Sequence, residues 1–203
     1  MINREGYNSI IICFITAFFL HLLPGKFFKF LRNIALLMGA FFTYFFRDPE
    51  RSLTIDDNSL ISSADGKILD IKKLEDGSTL IHIFMSPLDV HINRAPCDGT
   101  IKSITYKPGA FLPAYNENSR EENESNLIVI HNDDYEVPVK QISGILARKI
   151  ICWVKEGQSV KQGEKIGMIK LGSGNQIIIP KQFKCVVKIG DIVKAGLTII
   201  AKK

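Results

Sequence analysis

Lys165-Ile-Gly-Met-Ile-Lys-Leu-Gly-Ser-Gly-Asn-Gln-Ile-Ile-Ile-Pro180 is the stretch on which the reading of this chain turns. An apolar run, Ile166 to Leu171, leads into Gly172-Ser173-Gly174, and a β-branched run, Ile177 to Ile179, leads out. The pattern predicts two strands joined by a tight glycine-rich turn with Ser173 at its centre. Most Gly-Ser-Gly turns are only turns, with a serine that bonds local backbone. The Gly172–Ser173 peptide bond allows more. Glycine has no Cβ to shield its carbonyl and tolerates strained backbone angles. A serine hydroxyl beside such a carbonyl attacks it once a base takes its proton, and the amide becomes an ester. β-Elimination then cuts the chain and leaves a pyruvoyl group. The turn alone does not choose between the two readings, so the rest of the chain must supply a base and a substrate.

Around this stretch the sequence reads as short β-like runs broken by turn residues. Lys67-Ile-Leu-Asp-Ile-Lys, Thr79-Leu-Ile-His-Ile-Phe, Asn126-Leu-Ile-Val-Ile-His and Lys149-Ile-Ile-Cys-Trp-Val are examples, and long helical periodicity is missing beyond Arg47. Gly157-Gln-Ser-Val-Lys-Gln-Gly163 and Gly190-Asp-Ile-Val-Lys-Ala-Gly196 share the pattern G-x-x-V-x-x-G. Lipoyl- and biotinyl-like barrel-sandwich domains carry this kind of repeat, so the expected fold is mainly β, a compact β-sandwich of that type. Residues 107–125 are polar and punctuated by Pro and Gly, long for a plain connection and suggestive of a functional loop.

The N-terminal part is different. Ten of the 13 phenylalanines fall in the first 46 residues, from Phe14 to Phe46. Residues 8–23 form one apolar segment closed by Pro24-Gly25, a basic connector carries Lys26, Lys29 and Arg32, and residues 33–46 form a second. Each is short of the roughly 20 residues of a full span, so a pair of hydrophobic membrane-associated helices is expected, spanning or lying in one leaflet. No small-residue cleavage site follows the first segment, which argues against a signal peptide. The expected division is thus 1–46, an anchor, and 47–203, a folded domain. A net charge of +5 is dispersed, which argues against nucleic acid and suits an anionic membrane surface. The four cysteines, Cys13, Cys97, Cys152 and Cys185, show no metal-ligand spacing and are read as structural thiols, with no metal site.

Two further places carry polar groups with chemical potential. Ser63-Ala-Asp-Gly-Lys67 sets Asp65 before a turn glycine, an arrangement that is usually only a turn. Phe84-Met-Ser-Pro-Leu-Asp-Val-His-Ile-Asn-Arg-Ala-Pro-Cys-Asp-Gly99 is dense with polar side chains, among them His91 and Arg94. Asp65, His91 and Ser173 together supply an orienting carboxylate, a base and a nucleophile.

With these residues the chain resembles the phosphatidylserine decarboxylase proenzymes, of the short bacterial and archaeal-type branch. The resemblance runs through Phe46-Arg-Asp-Pro-Glu-Arg51, Ala64-Asp-Gly-Lys67, Phe84 to Pro96, Pro108-Gly-Ala-Phe-Leu-Pro-Ala-Tyr115, Glu121-Glu-Asn-Glu-Ser-Asn126 and Leu171-Gly-Ser173. It implies self-cleavage between Gly172 and Ser173 into a β-chain, 1–172, and an α-chain, 173–203, that remain partners. It implies a covalent pyruvoyl cofactor made from Ser173, and phosphatidylserine in the membrane as substrate, converted to phosphatidylethanolamine. It also implies a peripheral or monotopic place at the cell membrane with the catalytic domain on the cytoplasmic side, and it leaves room for a homo-oligomer. Arg94 is expected at the phosphate or carboxylate of the substrate, and Phe111 and Tyr115 of the 108–115 loop at its acyl chains. Two departures stand out. Short-branch members commonly have arginine and long-branch members threonine after the serine, where this chain has Gly174. Long-branch members have a second histidine three residues after the first, where this chain has Arg94. The rival from another class is a membrane-tethered lipoyl-like adaptor or carrier without catalysis. A carrier needs a lysine at a hairpin tip, and Lys170 lies instead within the apolar run.

Overall fold

The computed structural model describes the chain except for residues 53–55, 113–118, 145–148 and 171–172; for Ser119 and Ser173 it describes the backbone. The contacts divide the chain into two units, Met1–Glu50 and Arg51–Lys203.

In the first unit, helix α1 (Tyr7–Leu22) is followed by helix α2 (Lys26–Phe45). The chain reverses between them at Gly25, whose φ of 111° lies in the left-handed region that glycine enters without a Cβ penalty. The basic residues expected in a connector are therefore inside α2: Lys26, Lys29 and Arg32 occupy its first turns. Cations at a helix N-terminus oppose the helix dipole, which is why the sequence pattern points to a loop there. Phe27, Phe28 and Phe30 continue the apolar pattern and the helix forms regardless. Where the helices meet, Phe14 lies against Gly39; a Cβ there would stand 3.1 Å from the ring. Backbone bonds from Asn3 N to Phe46 O (2.8 Å) and Asp48 N to Met1 O (2.7 Å) close the base of the hairpin. Ala17 is the one α1 residue buried within the structure, and Gly39 and Phe45 are the buried residues of α2. Large apolar side chains are left exposed, including Ile12, Phe18, Leu22, Phe27, Phe30 and Leu37. Arg4–Leu22 is one helical stretch long and apolar enough to cross a membrane, by length and composition.

The second unit is mainly β. Its strands are β1 (Ser59–Ile61), β2 (Gly66–Lys73), β3 (Thr79–Met85), β4 (Ile92–Arg94), β5 (Gly99–Lys107), β6 (Ser125–Asn132) and β7 (Tyr135–Ile142). The C-terminal part adds β8 (Ile150–Cys152), β9 (Ser159–Val160), β10 (Lys165–Ile169), β11 (Ser173–Ile179), β12 (Lys184–Cys185), β13 (Ile192–Val193) and β14 (Ile199–Lys202). Eight of them form one antiparallel sheet in the order β13-β2-β3-β11-β7-β6-β5-β9, and two three-stranded sheets, β1-β14-β12 and β4-β10-β8, complete the unit. Alternation places Ile81, Ile83 and Met85 of β3, Val137 and Val139 of β7, and Ile177 and Ile179 of β11 in the core, each fully buried. Burying a side chain of this size is worth about 1.5–3 kcal/mol.

The organising stretch folds differently from a hairpin. Ser173 is not at the centre of a turn between paired strands; it is the first residue of β11. Strand β10 pairs with β4 and β8, whereas β11 pairs with β3 and β7, so the two consecutive strands lie in different sheets. The cause is register: Ser173 to Ile179 match Met85 to Thr79 residue for residue, and β3 draws the serine into the ladder.

The repeat is more extensive than the glycine pattern alone. Asp65 and Asp98 each precede a glycine that opens a strand, and they are spaced in sequence as Gly157 and Gly190 are. Asp65 Oδ1 accepts the Ala195 N–H at 2.8 Å, and Asp98 Oδ1 accepts the Gln162 N–H at 2.7 Å. Ile68 exchanges backbone bonds with Asp191 and Gly190, and Ile101 exchanges them with Gln158 and Gly157. Each G-x-x-V-x-x-G hairpin thus docks on an Asp-Gly strand start, and strands β13 and β9 become the two edges of the large sheet.

Candidate functional site

His91 lies between β3 and β4. After Met85 the chain turns through Ser86-Pro-Leu-Asp89, with the Asp89 N–H bonded to Ser86 O (2.8 Å) and the Ser86 N–H bonded to Asp89 Oδ2 (2.8 Å). This turn delivers His91 fully buried, with Nδ1 3.0 Å from Asp89 O. A carbonyl oxygen only accepts, so Nδ1 carries the hydrogen and the lone pair of the neutral ring sits on Nε2. The imidazole is thereby oriented with Nε2 as its accepting nitrogen. The Ile169 N–H at the end of β10 donates to His91 O at 3.1 Å. His91 is therefore attached to the strand from which the chain leaves for Gly172 and Ser173. Ser173 in turn pairs with Met85, the residue at which β3 enters the His91 turn. Gly172 and the Ser173 side chain lie outside the described residues, as does Tyr115.

Asp65 is placed elsewhere. Its carboxylate accepts from Arg51 Nη1 and Nη2, at 2.7 and 2.8 Å, in addition to the Ala195 N–H. Among the described residues no hydrogen bond joins it to His91. The pair is nearly dry, with side-chain exposures of 5% for Arg51 and 10% for Asp65. Arg51 also donates to Ala195 O, so the two side chains clamp Ala195 of the far hairpin by both its N–H and its carbonyl. Reasoning from sequence missed Arg51, although it closes the first of the quoted motifs; two charged residues in separate motifs were the available signal. Arg94 is buried as well, with Nη1 donating to Gly163 O at 2.7 Å and its N–H to Ser63 O at 2.9 Å. Phe111 is half-exposed on a segment pinned by Asn123, whose side chain bonds both the N–H and the carbonyl of Leu112 at 2.8 Å.

Beside the start of β11 the core face of the sheet turns polar. Ser63 Oγ donates to Asn175 Oδ1 (2.6 Å), Gln141 Nε2 to Asn93 Oδ1 (2.9 Å), and Asn126 Nδ2 to Gln141 Oε1 (3.0 Å). All five residues are buried. Gly167 leaves room for this cluster, since a Cβ there would meet Gln141 Nε2 at 2.8 Å. Among the described residues, two polar atoms in this region have no hydrogen-bond partner, Asn175 Nδ2 and Ser143 Oγ. Leaving such a group unsatisfied costs about 1–3 kcal/mol. On the opposite face the His82 ring packs against Gly174. Cys97 is no rival nucleophile: burial, with Asp98 nearby, pushes its thiol up to about 12, far from the range of a reactive thiolate.

The arrangement ties a buried histidine to the end of β10 and surrounds the head of β11 with buried polar groups. Comparison with known proteins fits this chemistry. The family model described as phosphatidylserine decarboxylase matches residues 38–201. A phosphatidylserine decarboxylase proenzyme of Prosthecochloris aestuarii is 40% identical over 200 residues, 96% of this chain and 92% of the relative. One from Pelagibacter ubique is 41% identical over 212 residues, covering 100% of this chain and 96% of the relative. A relative from Methanocaldococcus jannaschii, named as an archaetidylserine decarboxylase proenzyme, is 41% identical over 203 residues, 88% of this chain and 98% of its own length.

Proposed function

The chain belongs to the phosphatidylserine decarboxylase family, and from that premise we propose that it converts phosphatidylserine to phosphatidylethanolamine with a pyruvoyl group made from its own Ser173. The observation that carries the reading is the similarity over nearly the whole chain to proenzymes whose names state both a precursor and this reaction. The local architecture supports it. A group at the head of β11 would be held by a strand paired on one side with β3 and on the other with β7.

Maturation then follows from the chain's own residues. His91 Nε2 takes the Ser173 Oγ proton while Asp89 O holds the other edge of the ring. Oγ bonds to the Gly172 carbonyl carbon, the C–N bond breaks, and the Ser173 nitrogen leaves as an amine. Loss of the Ser173 α-proton then breaks the Cβ–Oγ bond and frees Gly172 as a carboxylate, with the β-chain ending at 172 and the α-chain beginning at 173. Water releases the nitrogen as ammonia and leaves the ketone. In turnover the pyruvoyl group supplies an electron sink for the bond that loses carbon dioxide. His91 is suited to move the accompanying proton. Asp65 and Arg51 act by holding the Ala195 hairpin, and Arg94, which holds Gly163 through Nη1, is the cation for the substrate phosphate or carboxylate. Phe111, with its exposed ring, remains the acyl-chain contact.

The two G-x-x-V-x-x-G hairpins, docked in equivalent ways, favour a lipoyl-like description of the domain. The exposed apolar side chains of α1 and α2 favour a peripheral or monotopic attachment to the membrane where the substrate resides, with the catalytic domain cytoplasmic. The direct test is intact mass. Purified protein should resolve into two polypeptides divided before residue 173, the smaller blocked to Edman degradation, and Ser173→Ala should remain a single chain. A wild-type protein that stays full-length with a free serine would overturn the reading.

A further inference from the structure

The unpaired atoms beside β11 occupy a definite place in the ladder. Asn175 lies opposite Gln141, and Gly174 opposite Ile142. Ser143 comes just after β7, two residues beyond Gln141, and its N–H bond to Glu124 O continues the β6–β7 ladder, so Asn175 and Ser143 are diagonal neighbours, a separation that polar side chains reach across. Both are fully buried and lie at the Ser173 end of the strand. Both are also held in position. Asn175 is fixed through Oδ1 by Ser63 Oγ, and Ser143 through its backbone, by the bond from its N–H to Glu124 O (2.9 Å) and from Asn123 Nδ2 to its carbonyl (2.8 Å). What remains on each is a polar atom without a partner among the described residues.

We propose that Asn175 Nδ2 and Ser143 Oγ are an oxyanion-binding pair for self-cleavage, donating to the negative oxygen that forms when Ser173 attacks. This rests on the self-cleavage reading above. As Oγ bonds to the carbonyl carbon and its proton passes to His91, the carbonyl electron pair moves onto oxygen. When the anion collapses, that pair reforms the carbonyl, the C–N bond breaks, and the departing amine takes the proton back. Donors left unsatisfied in the precursor gain their partner only in that state, so the interaction lowers the barrier without stabilising the start. Because their side chains or backbones are already fixed, little reorganisation is needed when the charge appears.

The test is a time course of cleavage of full-length chain made by cell-free synthesis, with and without hydroxylamine, which cuts an ester but not an amide. Asn175→Asp keeps an oxygen for Ser63 and removes the Nδ2 donor; Ser143→Ala removes only the hydroxyl. Cleavage should slow about 100-fold in Asn175→Asp and in Ser143→Ala, in line with losses of oxyanion donors. Ser143→Thr, which retains a hydroxyl, should recover most of the rate. Hydroxylamine should not restore either slow variant, because the ester forms only after the step these donors serve. Wild-type rates in Ser143→Ala and Asn175→Asp, or rescue by hydroxylamine, would overturn the assignment while leaving self-cleavage intact. A wild-type chain that never cleaves removes both. Should Asn175→Asp fail to fold, Ser143→Ala, a change of one oxygen, decides alone.

Discussion

At Gly174 the strand leaves a side chain little room. A Cβ would stand 3.0 Å from His82 Cε1, closer than side-chain carbons normally approach, with Ile142 at 3.8 Å behind. The departure at this position, glycine where relatives of the resembled branches carry arginine or threonine, therefore has a partner on the neighbouring strand: the His82 ring lies over the place that a residue-174 side chain would enter. Gly174→Thr, made in Ser173→Ala protein so that cleavage does not intervene, is expected to cost about 1–3 kcal/mol in urea unfolding, as overpacking does. Combined with His82→Ala it should cost less than the two single changes added together, because the second opens the space that the first needs. Strict additivity would show that the contact is not limiting. The sequence displays the glycine but not its counterpart, since His82 sits in an otherwise apolar strand and becomes a neighbour only through the β3–β11 pairing. The surroundings of His91 are local by contrast: the Ser86–Asp89 turn that holds its ring lies within five residues of it.

Among the elements, the two docked hairpins are held by carboxylates in unlike surroundings. Asp98 meets Lys161, whose side chain is 77% exposed, and that pair is worth little. Asp65 meets Arg51 in a nearly dry site, and removing one partner of such a pair costs about 3–5 kcal/mol. Asp65→Asn is thus expected to lower the melting temperature markedly, and Asp98→Asn to leave it nearly unchanged. If Asp65 acts by anchoring, Arg51→Met should reproduce both the instability and the maturation defect of Asp65→Asn. Loss of cleavage in Asp65→Asn at an unchanged melting temperature would instead restore the orienting role expected from the triad. An Asp-Gly turn looks the same in sequence whether or not its carboxylate reaches a hairpin more than a hundred residues away. The G-x-x-V-x-x-G pattern was readable because turn glycines must recur where the backbone turns; Gly157, Gly163, Gly190 and Gly196 all have φ between 78 and 97°. The short runs in 67–72, 79–84 and 126–131 were readable from their alternation, whereas the separation of β10 from β11 into different sheets was not, because local pattern carries no information on which strands pair.

At the scale of the whole chain, the unit Arg51–Lys203 contains Asp65, His91 and Ser173, while Met1–Glu50 contains most of the exposed apolar side chains. Phosphatidylserine stays in a bilayer, and with about 0.8 kcal/mol per buried methylene its extraction costs more than a head group can offset. Removal of residues 1–50 is expected to leave self-cleavage largely intact and to abolish flotation with anionic liposomes. Decarboxylation of lipid in bilayers should fall sharply, with much less loss on short-chain substrate dispersed below its micelle concentration. Equal losses on both substrates would assign the N-terminal helices to the catalytic fold; undiminished activity on bilayers would make them dispensable for reaching the lipid. The hydrophobic character of these helices was plain in the sequence. Their boundary was not, because three cations in the first turns of α2 look like a connector.

The position of β11 has a last consequence, for the molecule's lifetime. A cut before Ser173 makes β11 and the strands after it a separate peptide that is nonetheless hydrogen-bonded between β3 and β7 in the middle of the large sheet. Folding before the cut is a one-body process; reassembly after denaturation is a two-body encounter in which the neighbours of β11 are no longer supplied at the high local concentration that a continuous chain guarantees. Mature protein diluted from denaturant should therefore recover activity in a concentration-dependent manner, whereas the uncleaved Ser173→Ala chain should regain its native spectrum at a rate independent of concentration. Maturation would in this way leave each molecule with a record of having folded once.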